Sequence, residues 1–452
     1  MVLSVTVGHP ERPLRVAVVG TGPAGFFTAE ALLKADVAVE IDLIDRLPTP
    51  FGLVRSGVAP DHQKIKSVIR AYARTAQAPN VRYLGNVSVG HDPSVHDLLT
   101  AYDHVVLCVG TPLDRKLGIE GEELGNSYPA TDFVGWYNGH PHHQDHDFDL
   151  DVERAVVVGM GNVAIDCARM LLRSPDELAL TDMASPALEA LRRSSVREVV
   201  MLGRRGPGQA AFTPVELREL AGLDGVQVVL DASLLDMSDD CARWVDDHGT
   251  KQVRRNLDLL RDLPSEAAPG QRVVRLAMLR SPLRILDDGT GRVAGVELRV
   301  NRLVYDGAKS WPEDTGEREV VDAGLVFRAV GYRGIELPGV PFDHDRGIYP
   351  NDLGRVIGDD GVVPRLYVAG WAKRGPRGVI GTNRTDARET VATMISDLPQ
   401  LPAVERPGLD VQAAVGWAEW EKLDQHELAQ GEAQGRVREK MLSVAEMLEL
   451  LS

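Results

Sequence analysis

The sequence predicts an α/β fold with two Rossmann-like dinucleotide-binding domains, the second inserted into the first. Three observations predict it. An apolar strand runs into a glycine-rich turn and a helix at 16–35, and the same pattern returns at 154–172. Two similar strands that each end in glycine, at 104–110 and 325–331, enclose the second pattern. Such strand–turn–helix units are typical of nucleotide-binding α/β domains.

The length of 452 residues exceeds that of one ordinary core, so more than one domain is expected. We place the first part of the outer domain at 1–114 and the inserted domain at 115–331. The outer domain then resumes at 332–452, where it includes the C-terminal helices. Residues 1–13 are expected to be a short mobile lead-in.

The first turn reads Gly20-Thr-Gly22-Pro-Ala-Gly25, with the spacing G-x-G-x-x-G. Gly20 permits the tight turn, Gly22 lets backbone approach a pyrophosphate, and Gly25 lets strand and helix pack closely. Asp45 ends the next strand, 20 residues after Gly25, where a carboxylate can accept a hydrogen bond from a ribose hydroxyl. The alternative is a glycine-rich turn without a ligand, but the flanking strand, helix and acid favour dinucleotide binding.

The second turn is Gly159-Met-Gly161-Asn-Val, with Ala164 in place of the third glycine. The strand that follows ends in Arg204 and Arg205, where the first unit has an acid. Two guanidinium groups there suit a 2′-phosphate, which favours NADP over NAD. A solvated arginine pair is the alternative interpretation.

Composition excludes several classes of protein. A net charge of −16 argues against a nucleic-acid binder, and no apolar run is long enough to span a membrane. The N-terminus lacks the features of a signal peptide. Cys108, Cys167 and Cys241 are too scattered for a disulfide framework or a cluster site, which fits a reducing cytoplasm. Nothing demands more than a monomer or a weak dimer.

The remaining elements are less regular. A Pro- and Gly-rich loop precedes a basic-faced helix that begins near Lys64. Between 226 and 324 we expect antiparallel strands, with one basic-faced helix over 246–262. A strand, a glycine- and proline-rich loop and a helix follow at 365–395, and the last fifty residues read as helices.

Four histidines lie close together in the stretch NGHPHHQDHD: His140, His142, His143 and His146. No second ligand cluster accompanies them, so no metal site is predicted. A solvent-exposed loop between the domains is the favoured interpretation.

Together, the motifs VGTGPAGF, LPTPFGLVRSGVAPDH, VVVGMGNVAIDCAR, LGRRGP, ELREL and GWAKRGPRGVIGTN make the chain similar to the adrenodoxin reductase family of ferredoxin–NADP reductases. The similarity extends from about residue 14 to the C-terminal helices. It implies an NADPH:ferredoxin oxidoreductase with FAD on the outer domain and NADP on the inserted one. Hydride would pass from NADPH to the flavin, and single electrons would pass to a separate ferredoxin-type iron–sulfur protein. Arg377 departs from the family, which commonly has a threonine there.

The resemblance also implies site residues. Those for FAD are Gly20, Gly22, Ala24, Gly25, Asp45, Leu53, Val87, Trp371, Gly378, Val379 and Ile380. Those for NADP are Arg115, Met160, Gly161, Asn162, Val163, Arg204, Arg205 and Glu216, with Gly378. His62 and Glu219 match a pair with a proton-relay or positioning role, and Asp166 falls in the same central region.

The run Lys373-Arg374-Gly-Pro-Arg377 in an acidic chain suggests a basic docking patch for an acidic ferredoxin. Other functions stay open at this stage. A flavoprotein that reduces quinones or oxygen would need no such patch. A module like the small subunit of glutamate synthase would carry cysteine-rich cluster motifs, and the chain has none. A redox sensor would bind NADPH without turnover.

Overall fold

The structure is a computed structural model that describes residues 6–402 and 404–452. The first five residues of the predicted lead-in lie outside the described residues. The chain divides into two compact units. Unit 1 contains residues 1–113 and 331–452, and unit 2 contains residues 114–330.

In chain order, the strands are β1 (Leu14–Val19), β2 (Val39–Ile44), β3 (Val81–Leu84), β4 (His104–Leu107), β5 (Leu113–Asp114), β6 (Ser127–Pro129), β7 (Arg154–Val158), β8 (Glu198–Gly203), β9 (Val226–Val229), β10 (Arg272–Met278), β11 (Arg280–Asp287), β12 (Val293–Tyr305), β13 (Ser310–Asp322), β14 (Leu325–Arg328), β15 (Tyr332–Arg333), β16 (Asn351–Asp352), β17 (Arg355–Gly358) and β18 (Gly361–Val368).

The α-helices are α1 (Pro23–Leu33), α2 (Leu53–Ser56), α3 (Gln63–Lys66), α4 (Ile69–Ala76), α5 (Val95–Ala101), α6 (Ala130–Tyr137), α7 (Asn162–Leu172), α8 (Pro175–Leu178), α9 (Ser185–Arg192), α10 (Pro214–Ala221), α11 (Asp239–His248), α12 (Lys251–Arg261), α13 (Trp371–Arg374), α14 (Thr382–Ser396), α15 (Trp417–Ala433) and α16 (Val444–Leu451).

Unit 1 is built on a seven-stranded sheet in the order β16-β17-β18-β4-β1-β2-β3. Its strands from β18 to β3 are parallel, and β16 and β17 add an antiparallel edge. The strands β1 and β4 are buried over nearly their whole length, as expected for a sheet covered on both faces. Apolar side chains on one face pack against α1, α14 and α15, and a second cluster covers the other face.

Unit 2 is built on a six-stranded, fully parallel sheet in the order β6-β14-β7-β8-β10-β9. A separate antiparallel sheet, β11-β12-β13, packs its apolar side chains against one face of the parallel sheet. The α/β class and the two parallel sheets agree with the fold predicted from the sequence.

Two predictions for the region 226–324 are wrong. Strands β9 and β10 are parallel members of the main sheet, because helices α11 and α12 form the crossover that a parallel connection requires. The predicted helix over 246–262 is interrupted at Gly249, and the Thr250 hydroxyl caps the second helix by accepting from Val253 N. The basic-faced helix near Lys64 is likewise divided, into α3 and α4.

Within the described part of the chain, none of the helices has the length and apolar character that crossing a lipid bilayer demands.

Candidate functional site

The carboxyl edge of the unit 1 sheet has a topological switch point at β1. From β1 the chain moves to β2 on one side, whereas β4 and β18 lie on the other side. In open α/β sheets, ligands bind at such a point, outside the carboxyl ends of the strands. The segments that leave these ends are the first glycine turn, the Asp45 segment, residues 108–111 and residues 369–371.

Glycines in the first turn are demanded by close backbone contacts. Gly20 has φ +100°, and a Cβ there would lie 2.5 Å from the carbonyl oxygen of Cys108. A Cβ on Gly25 would lie 2.0 Å from the carbonyl oxygen of Gly20. The first contact joins the turn to the end of β4, and the second seats α1 directly on the turn. These are the packing roles predicted from the spacing.

The N-terminus of α1 is open to a ligand. Its N-cap residue, Gly22, provides no side-chain hydrogen bond, and Pro23 lacks an N–H group. The remaining N–H groups of the first turn therefore have no side-chain cap, and the helix dipole favours an anion there. This geometry fits the pyrophosphate of a dinucleotide. Ala24 lies in the same helical turn and is buried.

Asp45 holds the turn from the end of β2. Its Oδ2 accepts hydrogen bonds from Thr21 N at 2.9 Å and from Thr21 Oγ1 at 2.5 Å, and its Oδ1 accepts from Leu47 N at 3.1 Å. Burial raises the pKa of Asp45, and these hydrogen bonds oppose that shift. Besides the ribose contact predicted for it, Asp45 therefore has a positioning role that the spacing did not reveal.

Two buried polar atoms near the ends of β4 and β18 have no hydrogen-bond partner in the part of the chain that the structure describes. They are Nε1 of the half-buried Trp371 and Oγ1 of Thr111. Because buried polar groups are normally satisfied, such atoms at a ligand-binding edge fit the polar groups of a bound cofactor. The Trp371 ring also packs on Tyr332, with ring centroids 5.6 Å apart. Thr111 was not among the predicted site residues; its position directly after the glycine at the end of β4 is the available signal.

The other residues predicted for unit 1 lie on loops and short helices. Leu53 begins α2 and is 42% exposed, whereas Val87 follows β3 and is buried. Gly378 and Val379 are exposed, and Ile380 is partly buried against the core. The structure places His62 immediately before α3; its role stays a prediction.

The C-terminal helices anchor the α2 segment through a buried ion network. Glu427, fully buried on α15, receives two hydrogen bonds from Arg55, at 2.5 and 2.9 Å. Arg438 donates to the same carboxylate at 2.7 Å, and Lys440 Nζ donates to the Arg55 carbonyl at 3.1 Å. The Arg55 guanidinium also lies 5.3 Å from the centre of the Trp420 ring. Residues 417–440 therefore fix the backbone next to Leu53.

The predicted basic docking patch is wrong for two of its three residues. Lys373 is buried, and its Nζ lies 3.0 Å from Asp386 and 2.5 Å from Glu389. Arg374 is half-buried and donates to Asn383 Oδ1 at 2.8 Å. Only Arg377 of the run is exposed. The charges of Lys373 and Arg374 are thus committed inside unit 1, where acids and amides from α14 meet them.

Unit 2 has its own switch point at β7, between β8 on one side and β14 on the other. Gly159 has φ +149°, and a Cβ there would lie 2.4 Å from the carbonyl oxygen of Ala329, which follows β14. Gly161 is the N-cap of α7 and provides no side-chain hydrogen bond. Met160, Gly161, Asn162 and Val163 thus form an open helix start of the same kind as in unit 1, suited to a second phosphate group.

The loop 206–213 supports this second turn. Met160 O accepts hydrogen bonds from Ala211 N and Phe212 N, each at 2.9 Å. Asn162 Oδ1 accepts from Thr213 N at 2.8 Å. The Asn162 side chain, predicted to contact NADP, therefore also ties α7 to the start of α10.

Arg204 and Arg205 lie directly after β8, next to the second turn in the sheet. Arg204 is exposed and Arg205 is half-buried. Burial, together with the adjacent charge of Arg204, lowers the pKa of Arg205. Among the residues that the structure describes, no carboxylate pairs with either guanidinium. A bound phosphate group would relieve the repulsion between the two cations, so the arrangement fits a 2′-phosphate.

Two predicted acidic residues of unit 2 meet on a buried cation. Arg169, 1% exposed, lies 2.6 Å from Asp166 on the same helix and 3.2 Å from Glu219 on α10. Glu216 lies in the first turn of α10 and is buried, and Arg115 follows β5 and is half-buried. Arg169 was missed at the level of sequence; its only local signal is the i,i+3 spacing from Asp166.

The histidine run is only partly the exposed loop that the sequence predicts. His142 is exposed, but His140, His143 and His146 are half-buried, and the segment lies within unit 2. His143 and His146 both approach Asp132, at 3.3 and 3.4 Å. This aspartate lies outside the run, which is why no ligand cluster was visible in the sequence.

Known proteins resemble this chain over most of its length. Residues 14–203 match the pyridine nucleotide-disulphide oxidoreductase family. The NADPH-ferredoxin reductase FprA of Mycobacterium tuberculosis is 46% identical, covering 97% of this chain and 99% of the relative. The mitochondrial NADPH:adrenodoxin oxidoreductase of Bos taurus is 41% identical, covering 98% of this chain and 92% of the relative.

A similarity of structure accompanies the similarity of sequence. Mycobacterium tuberculosis FprA in complex with NADPH aligns with a TM-score of 0.89 at 45% identity, covering 97% of this chain and 100% of that chain.

Proposed function

This chain belongs to the adrenodoxin reductase-like family of ferredoxin–NADP reductases, and from that membership we infer that it is an FAD-dependent NADPH:ferredoxin oxidoreductase. It takes a hydride from NADPH and passes single electrons to a ferredoxin-type iron–sulfur protein. In the structure, the observation that carries the use of two dinucleotide cofactors is the pair of uncapped helix starts, Gly22 and Gly161, each at a sheet switch point. Each fits one dinucleotide.

We assign FAD to unit 1. The N-terminus of α1 would hold its pyrophosphate. Asp45 would fix the conformation of the turn and accept a hydrogen bond from a ribose hydroxyl. The unpartnered Nε1 of Trp371 and Oγ1 of Thr111 would serve the rest of the cofactor. When bound, the flavin supplies the ability to take up two electrons as hydride and to release them singly. The protein supplies binding, orientation and electrostatics.

We assign NADP to unit 2. The N-terminus of α7 would hold the pyrophosphate, and Arg204 and Arg205 would bind the 2′-phosphate. Arg169 keeps Asp166 and Glu219 in fixed positions, which supports an orienting role for these two acids.

Proton relay or positioning by His62, Asp166 and Glu219 is a proposal. Its test is the pH profile of kcat in the Glu219→Gln variant, which should lose an ionisation if Glu219 handles a proton.

Anaerobic titration of the purified protein tests the proposed function. The protein should show a flavin spectrum that NADPH bleaches, and the oxidised spectrum should return as added ferredoxin is reduced. A colourless protein, or a flavin that NADPH does not bleach, would contradict the assignment.

One observation keeps a second candidate function in view. Because Lys373 and Arg374 are engaged inside unit 1, the main argument for a basic docking patch is lost. An NADPH-dependent reductase of quinones or other small acceptors needs no such patch. Comparison of kcat/KM for ferredoxin and for a quinone separates the two: the proposed function requires the larger value with ferredoxin.

A cytoplasmic location and a monomeric or weakly dimeric state are also proposals. All three cysteines are free and buried, which is consistent with a reducing compartment. Sedimentation velocity of the FAD-loaded protein would test the oligomeric state.

A further inference from the structure

The cluster of Asp132, His143 and His146 lies outside both proposed dinucleotide sites. Helix α6 begins at Ala130 and carries Asp132 in its first turn. After Gly139, which has φ +70°, the chain folds back along the helix. Both histidines thereby come next to the aspartate. The three side chains are 21–31% exposed, so the cluster is half-buried and still reachable from solvent.

The spacing of the potential ligand atoms is that of a metal site. His143 Nδ1 lies 3.3 Å from one Asp132 oxygen, and His146 Nε2 lies 3.4 Å from the other. All three ligand atoms lie within 4.8 Å of one another. Zinc binds His nitrogen and carboxylate oxygen at about 2.0–2.2 Å, so neighbouring ligands of a tetrahedral site are about 3.3–3.5 Å apart. Each of the two nitrogen–oxygen distances has about this length, and the two nitrogens face different oxygens of the Asp132 carboxylate.

Hydrogen bonding does not account for the contact. Among the described residues, the buried Nδ1 of His143 has no hydrogen-bond partner, although a carboxylate oxygen is 3.3 Å away. The pair therefore does not meet the geometry of a hydrogen bond. Two ligands directed toward a shared point between them would have this relation.

Hydrogen bonds from the His140 backbone and the Gln144 side chain hold the cluster in place before any ion binds. His140 N donates to Gly135 O at 2.8 Å, and Gln144 Nε2 donates to the carbonyl of His140 at 3.0 Å. Gly135 itself leaves room for a ligand ring: a Cβ there would lie 2.4 Å from Cδ2 of His143. A side chain at position 135 would displace this histidine from the cluster.

We propose that Asp132, His143 and His146 form a binding site for one divalent cation of the zinc class. Two imidazoles and one carboxylate are borderline ligands that suit Zn²⁺, and three protein ligands leave the fourth position to water. The bound ion ties the segment 140–146 to the first turn of α6. The site is independent of the proposed redox function.

Calorimetric titration with Zn²⁺ tests this proposal. The FAD-loaded protein is first treated with a chelator, which is then removed. The wild type should bind one equivalent of Zn²⁺ that is absent in Asp132→Asn, His143→Ala and His146→Ala. His142→Ala is the matched control, because His142 is exposed in the same run and outside the cluster; it should retain the equivalent. Asp132→Asn keeps the side-chain shape, so it separates lost ligation from lost packing.

Binding of Zn²⁺ should also raise the melting temperature of the wild type by several degrees, and that of Asp132→Asn by much less. Two results would overturn the proposal: a wild type that binds no Zn²⁺, or cluster variants with the stoichiometry and affinity of the wild type. Neither readout involves turnover, so failure here leaves the reductase assignment untouched.

Discussion

Replacement of Arg204 and Arg205 by glutamine should convert a coenzyme preference into near indifference. Both guanidinium groups lie at the end of β8 beside the second turn, and no described carboxylate pairs with them. NADPH carries a 2′-phosphate that NADH lacks. Removal of the two cations should therefore weaken the use of NADPH and leave NADH almost unaffected.

The structure sets the expected size of the effect. A hydrogen bond between charged groups contributes about 1.5–3 kcal/mol, and about 1.4 kcal/mol corresponds to a factor of ten. Arg204 is exposed, so its loss should cost about tenfold. Arg205 is half-buried and its pKa is lowered, so a phosphate partner gains more there, about a hundredfold. The double variant should lose about 10²- to 10³-fold in kcat/KM for NADPH, and less than about threefold for NADH.

Steady-state kinetics with both coenzymes and one ferredoxin would measure this. Arg193→Gln is a suitable control, because Arg193 is exposed in the same unit and lies just after α9. The control should leave both values within about twofold, which accounts for the general loss of positive charge. Equal losses with NADPH and NADH in the double variant would show that the two arginines do not bind the 2′-phosphate.

Three further predictions concern unit 1. Gly25→Ala should yield protein with little bound FAD, because the added Cβ would lie 2.0 Å from a carbonyl oxygen. The control Gly90→Ala should keep its full flavin content, measured by absorbance, because no atom lies within 4 Å of a Cβ there. Glu427→Gln should lower the free energy of unfolding by about 3–5 kcal/mol at neutral pH, and the exposed Glu432→Gln by little. Burial raises the pKa of Glu427, but the opposing effect of Arg55 and Arg438 is larger in total, so the pKa lies below its usual value. Its stabilisation is therefore present above about pH 4.3 and lost as the pH falls through the folded pKa, and acid titration should show less of this loss in the glutamine variant. Lys373→Met should lower thermal stability without changing the salt dependence of ferredoxin reduction, because the Lys373 ammonium group is buried against carboxylates. A weaker salt dependence in this variant would show that Lys373 does contribute to ferredoxin docking.

Features with a local cause were predictable from the sequence. The first turn could be predicted because the contact between Gly25 and Gly20 lies within one strand–turn–helix unit, although the contact that excludes a side chain at Gly20 comes from Cys108 after β4. The second turn was recognised from the same sequence pattern, and the α/β class is confirmed, whereas the antiparallel arrangement predicted for β9 and β10 is wrong. The family was also identified from motifs alone, and the full-length relatives confirm it.

Features that depend on distant partners could not be predicted. Lys373 belongs to a basic run, yet its charge is neutralised by Asp386 and Glu389 on the following helix. Arg169 contacts Asp166 on its own helix and Glu219 on α10, which lies 50 residues further along the chain. Local charge patterns give no information about such tertiary pairing, which only the fold determines.

The proposed reductase uses NADPH to reduce a one-electron carrier. The most direct test is an anaerobic assay that counts ferredoxin reduced for each NADPH oxidised. We predict about two ferredoxins per NADPH, because a hydride carries two electrons and the carrier accepts one. Oxidation of NADPH without reduction of ferredoxin, or no oxidation at all in the presence of bound flavin, would contradict the account.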